Sequence, residues 1–240
     1  MIDVTMTAMM RPKLIKKTLA SFRRRLLTNP SKLRWIINID RVGDASLDET
    51  IRVFDCLGNN KVINSPKKPS FPKAVMWCWS QVSSEYCFHL EDDWTIERVV
   101  GVDAMIGTLK DANTVSSLRL SKIHIPKTKK PVMFGRFWKY KGGYFTTYAK
   151  DMFGLNPILI KTKFLQDVLP NMDDKMNPEK QIRPDNPCMM DVLGKWVHGM
   201  WGEPGDKPLV VDRGRKWMRV NGFEKPSVDF TAWRKTDESN

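Results

Sequence analysis

The chain has 240 residues, with 40 Lys plus Arg against 27 Asp plus Glu, a formal charge of +13 and 41% hydrophobic residues. That balance excludes disorder, a collagen repeat and a disulfide-stapled miniprotein, and the length suits a single domain. No run of 18 apolar residues occurs, and Asp3, Arg11 and Lys13 interrupt the N-terminal stretch, so neither a membrane span nor a secretory leader is expected. The four cysteines, Cys56, Cys78, Cys87 and Cys188, are widely spaced without a CxxC pair. Reduced thiols and a cytoplasmic location are the expectation.

Taken in chain order, Val4 to Met9 reads as a strand and Pro12 to Leu27 as a helix with apolar Leu14, Leu19, Phe22 and Leu26. LRWIINID (33–40) is a near-continuous apolar run, the sign of a buried parallel strand. A helix over 47–57, a strand over 61–65, a helix over 72–82 and the strand YCFHL (86–90) follow. Strands alternating with helices predict an α/β sheet. Beyond Trp94 the pattern loosens: a helix over 99–110, a strand over 115–120, a basic Pro-bounded loop to 131 and β structure to 148. PILIKTKFLQDVLP begins as a strand and continues as a helix, CMMDVLGKWVHGMW (188–201) reads as helical, and PLVVD (208–212) as a late strand.

The charge is unevenly spread. Residues 1–100 carry 16 basic against 11 acidic residues, 101–150 carry 10 against 2, and 151–240 carry 14 against 14. Within the basic stretch Lys122, Lys127, Lys129, Lys130, Arg136, Lys139, Lys141 and Lys150 interleave with Phe134, Phe137, Trp138, Tyr140, Tyr144, Phe145 and Tyr148. Such a mixture suits a polyanion whose bases can be stacked, or else a solvated basic face with its aromatics turned inward.

Glu91, Asp92 and Asp93 follow the apolar strand YCFHL directly. Three like charges at the carboxyl end of a strand call for a neutralising cation, and carboxylates suit Mg²⁺ or Mn²⁺; an isolated EDD is otherwise a solvated turn before a helix. Asp40 closes its own strand in the same way, and ligands of open α/β sheets bind beyond such strand ends.

Together VTMTAMMRP, IINID, VINSPKKPSFPKAVMWCW and FHLEDDW resemble the GT-A class of nucleotide-sugar glycosyltransferases, well over about the first 100 residues and loosely beyond. The resemblance implies a GT-A (Rossmann-like) mixed central sheet flanked by helices, with a donor half over 1–100 and an acceptor half over 101–240. It implies a D-x-D-like metal site in which Asp93 is the direct ligand, Glu91 assists and Asp92 faces the donor ribose. Thr7, Arg11, Asp40 and Lys73 would hold the nucleotide sugar, and His198 would add a metal ligand from C-terminal sequence. The general base of an inverting transfer would be Glu179, in the turn-like NPEKQ, with Asp191 second and Asp185 a further candidate. His89 reads as a core residue, His124 as part of a loop, and RGRKWMR (213–219) as a phosphate clamp or a solvated basic helix.

The expected activity is a metal-dependent hexosyl or pentosyl transfer from a nucleotide sugar, a UDP-sugar most often in this class, to an acceptor hydroxyl. In size, charge and HLEDDW the chain is similar to small bacteriophage enzymes that glycosylate hydroxymethylated DNA bases, which would place it in the host cytoplasm. Lys127, Lys129, Lys130, Arg136 and Lys139 are then the expected DNA contacts. A polysaccharide or protein acceptor, or a non-catalytic nucleic-acid-binding protein, are the alternatives.

Overall fold

The structure is a computed structural model that describes residues 1–124, 137–140, 143–147, 153–183, 185–202, 205–224 and 234–235. In its first half, β1 (Ile2–Met10), α1 (Pro12–Arg25), β2 (Leu26–Leu27), β3 (Leu33–Gly43), α2 (Leu47–Val53), β4 (Lys61–Asn64), α3 (Phe71–Ser80) and β5 (Tyr86–Glu91) follow one another. β6 (Trp94–Ile96), β7 (Val100–Gly101), α4 (Val102–Asp111), β8 (Val115–Leu120), β9 (Phe137–Tyr140) and β10 (Gly143–Thr147) come next. The remainder comprises β11 (Ile158–Lys161), α5 (Thr162–Val168), α6 (Pro178–Gln181), α7 (Met190–Leu193), β12 (Val197–Trp201), β13 (Val210–Asp212), α8 (Gly214–Val220), β14 (Phe223–Glu224) and β15 (Arg234–Lys235).

Nine strands form one sheet in the order β4-β3-β1-β5-β11-β8-β12-β10-β9. The first four are parallel, as the strand-helix alternation predicts, while β11 runs antiparallel to both β5 and β8. The architecture is therefore a mixed central sheet flanked by helices, as expected. Eight of the nine residues of β1 are buried, the polar Asp3, Thr5 and Thr7 among them, because β1 has a strand on either side and helices on both faces. Alternation then divides the core. Trp35, Ile37, Phe88 and Leu90 pack with Ile15, Leu19 and Phe22 of α1, whereas Ile36 and Cys87 turn to Val75, Cys78 and Trp79 of α3 and to Phe164 of α5.

Several element bounds differ from the sequence reading. α1 stops at Arg25 because Leu26 and Leu27 pair with β7. The segment 188–201 is not one helix: α7 ends at Leu193, and Val197–Trp201 is β12, paired with β8 on one side and β10 on the other. Two open strand edges outweigh the helical propensity of that apolar run, which Gly194 and Gly199 already weaken. Cys78 and Cys87 are buried and Cys56 and Cys188 exposed, all four as free thiols. No helix among the described residues is long and apolar enough to cross a membrane.

Candidate active site

Register places the chemistry. Thr7 of β1 lies beside Glu91 of β5, and Met9 of β1 beside Asp40 of β3, so three adjacent parallel strands deliver these residues to one carboxyl-end edge. A cleft of about 370 Å³ opens there. Its walls include Thr7, Arg11, Asp40, Glu91, Asp92 and Asp93, with Lys122, Glu179, Asp212 and Arg215 from the second half.

Arg11 closes the floor. It is 4% exposed, donates from Nε and Nη2 to the two carboxylate oxygens of Asp92 at 2.9 and 2.5 Å, and reaches Asp93 Oδ2 from Nη2 at 2.9 Å. Burial alone would lower its hold on its proton, but Asp92 and Asp93 outweigh burial and push the guanidinium above its ordinary value. Asp92 also accepts from the Met9 N–H at 2.9 Å and is 1% exposed. Asp92 lines the cleft, and through these bonds it anchors Arg11 and the end of β1.

Asp93 and Glu91 differ from it in kind. Asp93 Oδ1 is buried without a hydrogen-bond partner, and burial first, with Asp92 and Asp212 adding to it against the pull of Arg11, pushes the carboxyl up to about 6. Glu91 accepts from Trp94 Nε1 at 3.0 Å; burial, then repulsion from Asp93 and Glu179, holds it well above the usual carboxylate range. Half-buried Asp40 is pushed up to about 6 by loss of water around it, although the Ser70 N–H and Asn38 Nδ2 stabilise its charge. A crowd of hard oxygen donors that resist ionising together is what a divalent cation relieves. Among the described residues no three carboxylates, imidazoles or thiols stand as a finished ligand set. Two donors suffice for Mg²⁺ or Mn²⁺, which keep waters and take further oxygens from a diphosphate. The chemistry of these donors fits such an ion, and Asp93 and Glu91 are the residues that would hold it.

The C-terminal elements press on this site. β13 pairs with β6, the Arg213 N–H donates to Asp93 O at 2.8 Å, and Asp212 accepts from the Gly214 N–H at 2.8 Å. A Cβ on Gly214 would stand 2.0 Å from Asp93 Oδ2, so only glycine lets α8 start so close to that carboxylate. Trp217 covers Arg11, whose guanidinium carbon lies 5.3 Å from the indole centroid. On the opposite wall Glu179 of α6 accepts the Leu155 N–H at 2.7 Å and lies close enough to Glu91 to repel it.

Of the residues expected from sequence, Thr7, Arg11, Asp40, Glu91, Asp92, Asp93 and Glu179 meet in the cleft. Lys73, Asp191, His198 and the exposed Asp185 do not line it. Lys73 sits on the exposed side of α3 and pairs with Asp174 at 3.2 Å, while Phe71, two residues earlier, takes the place on the cleft wall. Asp191 is exposed on α7. His198 belongs to β12 rather than a helix; it is 3% exposed, bonds through Nδ1 to Ser116 and Ser117 at 2.7 and 3.2 Å, and packs against Phe153 and Phe164. Burial pushes it down to about 3, so it is a neutral core residue. His89 is likewise buried, its Nδ1 against Thr5 Oγ1 at 3.0 Å. Lys127, Lys129, Lys130 and Arg136 lie outside the described residues, and Lys139 lies on β9. Asp212 is a cleft residue beyond those expected, and its sequence signal is that PLVVD ends an apolar strand on an aspartate just as IINID does.

The sequence matches no family model and no curated protein. Solved structures resemble the fold. S. aureus TarS in complex with UDP is 13% identical with a TM-score of 0.53, over 88% of this chain and 60% of that one. TarS in complex with UDP-GlcNAc gives 15% and 0.53, over 88% and 58%. The mannosyltransferase PcManGT from Pyrobaculum calidifontis, in complex with GDP-Man and Mn²⁺, gives 11% and 0.55, over 82% and 53%. The chain spans 53 to 60% of the length of these structures, and the likeness establishes the GT-A type of fold.

Proposed function

We propose that this protein is a metal-dependent glycosyltransferase that moves a sugar from a nucleotide sugar to an acceptor hydroxyl. One observation carries the reading: Glu91, Asp93, Asp212 and Glu179 crowd into one cleft at the ends of β1, β3 and β5, with Asp93 Oδ1 buried and unpartnered. Neighbours of the same fold hold UDP, UDP-GlcNAc, or GDP-Man with Mn²⁺ at low identity, which supports a nucleotide sugar, a UDP-sugar first, as donor.

In this reading residues 1–100 form the donor half and 101–240 the acceptor half. Asp40 and Thr7 hold the nucleoside beside Phe71, while Asp93 and Glu91 hold Mn²⁺ or Mg²⁺, with Asp212 in place of His198 as the carboxylate that C-terminal sequence brings near. Such an ion supplies Lewis-acid stabilisation of the departing diphosphate. Arg11 keeps Asp93 in place from below, and Lys122 and Arg215 line the cleft where diphosphate charge would lie. Glu179 takes the proton from the acceptor hydroxyl as its oxygen bonds the anomeric carbon and the carbon–oxygen bond to the diphosphate breaks. The Leu155 N–H orients that carboxylate and leaves its other oxygen for the acceptor.

The acceptor we assign is a hydroxymethylated base in DNA, supported by the excess of 10 basic over 2 acidic residues in 101–150 and by the resemblance drawn above. Such a base would have to leave its stack to reach the cleft. The test is nucleotide release from a panel of nucleotide sugars with Mn²⁺, with and without hydroxymethylated DNA, followed by mass spectrometry of the digested nucleosides. Asp93→Asn should abolish release, and Glu179→Gln should lower kcat by roughly 10² to 10⁴ with donor affinity nearly unchanged. Normal turnover by Asp93→Asn would sink the metal assignment.

A further inference from the structure

We propose that the solvent face of α1 is a docking rail for the backbone of duplex nucleic acid, running up to the cleft. It deepens the acceptor reading above and rests on that reading for the identity of the polymer. The exposed positions of α1 are Lys13, Lys16, Lys17, Ala20, Arg23 and Arg24, one stripe at three- and four-residue spacing in which every residue except Ala20 is cationic. From Lys13 to Arg24 the stripe is about 16 Å long, the span of roughly five base-pair steps.

Ordinary solvated helix faces mix signs, but α1 contains no acidic residue at all. Among the described residues Lys13, Lys16, Lys17 and Arg23 enter no ion pair, and Arg24 donates only to Ala20 O within its own helix. Cations in the first turns also oppose the helix dipole, so helix stability does not account for them. The rail starts two residues after Arg11, which grips Asp92 and Asp93, and Trp217 over Arg11 brings α8 with exposed Lys216 and Arg219 to the same end.

The chemistry of the stripe selects its occupant. The apolar residues of α1, Leu14, Ile15, Leu19 and Phe22, are at most 6% exposed and buried in the core, so nothing is left to enter a lipid interface. The stripe offers no aromatic or large aliphatic anchor of the kind that centres a protein interface. Regular charge without apolar area matches a regularly charged polymer.

The experiment measures binding of a fluorescein-labelled 20-base-pair duplex by anisotropy between 50 and 200 mM NaCl. Lys13→Gln/Lys16→Gln/Lys17→Gln should flatten the slope of log K against log salt by about 2 to 3, at about 0.9 per neutralised phosphate. Helix propensity is nearly the same for Lys and Gln, and circular dichroism verifies the fold. Lys110→Gln/Lys163→Gln/Lys195→Gln removes the same charge from other exposed sites and should leave the slope unchanged. Equal flattening by both triples, an unaltered slope in the α1 triple, absence of duplex binding by the wild type, or binding to phosphatidylserine vesicles in place of duplex would each overturn the proposal. Nucleotide release from donor plus Mn²⁺ is followed in parallel. Release without duplex binding removes the rail and leaves the transferase; α1-dependent binding without release does the reverse.

Discussion

Arg11 balances two carboxylates inside the protein, and Gly214 determines how near α8 comes to one of them. Removing one partner of a buried ion pair strands the other, so Arg11→Ala should lower stability by about 3 to 5 kcal/mol in urea titrations. Arg11→Lys should recover only part of this, because an ammonium cannot fork onto both oxygens of Asp92. Gly214→Ala should cut turnover at least tenfold while shifting the unfolding midpoint little, since the new methyl displaces the Asp93 carboxylate and leaves the core alone. Much of this site was legible residue by residue: an apolar strand ending in acid revealed Asp40 and EDD, and NPEKQ drew attention to Glu179, although that segment is the short helix α6 and not a turn. Two things were not. Which acids of EDD bind outward depends on Arg11 arriving from another element, and the role of Gly214 depends on a contact across more than a hundred residues.

At the scale of elements, the carboxyl-end edge of the sheet carries the chemistry and the opposite edge carries a clamp. Asp3, fully buried on β1, accepts from Arg34 Nε and Nη2 of β3 at 2.7 and 2.9 Å and from the N–H groups of Ser83 and Ser84 at 2.6 and 2.9 Å. Burial raises its pKa, but the Arg34 and N–H bonds outweigh burial, so the folded value lies below the usual 3.8. A lowered folded value means that this stability is complete above the unfolded pKa and is lost as pH falls below about 4. Asp3→Asn should therefore cost about 2 to 3 kcal/mol at pH 7 and flatten the acid limb of the stability–pH curve, read by chemical unfolding at pH 3 to 7. Helices and strands of the first half were readable because each buries a clean periodic face. The segment 188–201 was not, because what makes Val197–Trp201 a strand is the pair of open edges it enters, which its own sequence does not contain.

The whole molecule is cationic, yet its cleft gathers carboxylates that resist ionising side by side. A ligand that relieves them should stabilise the entire fold. Mn²⁺ with UDP at about 100 times their Kd should add about 2.7 kcal/mol, a rise of roughly 5 to 11 °C in Tm for a chain of this size. Differential scanning fluorimetry checks this, and Asp93→Asn should show no such rise.

The antiparallel strand β11 ties the sheet together between β5 and β8, and this has a consequence in time. During translation the first four parallel strands leave the ribosome with one side of β5 bare, and its partner is not made until residue 158. At 5 to 20 residues per second that wait is roughly 3 to 13 s. A bare strand edge is a template for pairing with other chains, so the nascent protein passes through an interval of exposure to misassembly that ends only when β11 inserts. The segments carrying Glu179 and Asp212 follow β11 in the chain, so the cleft is completed last.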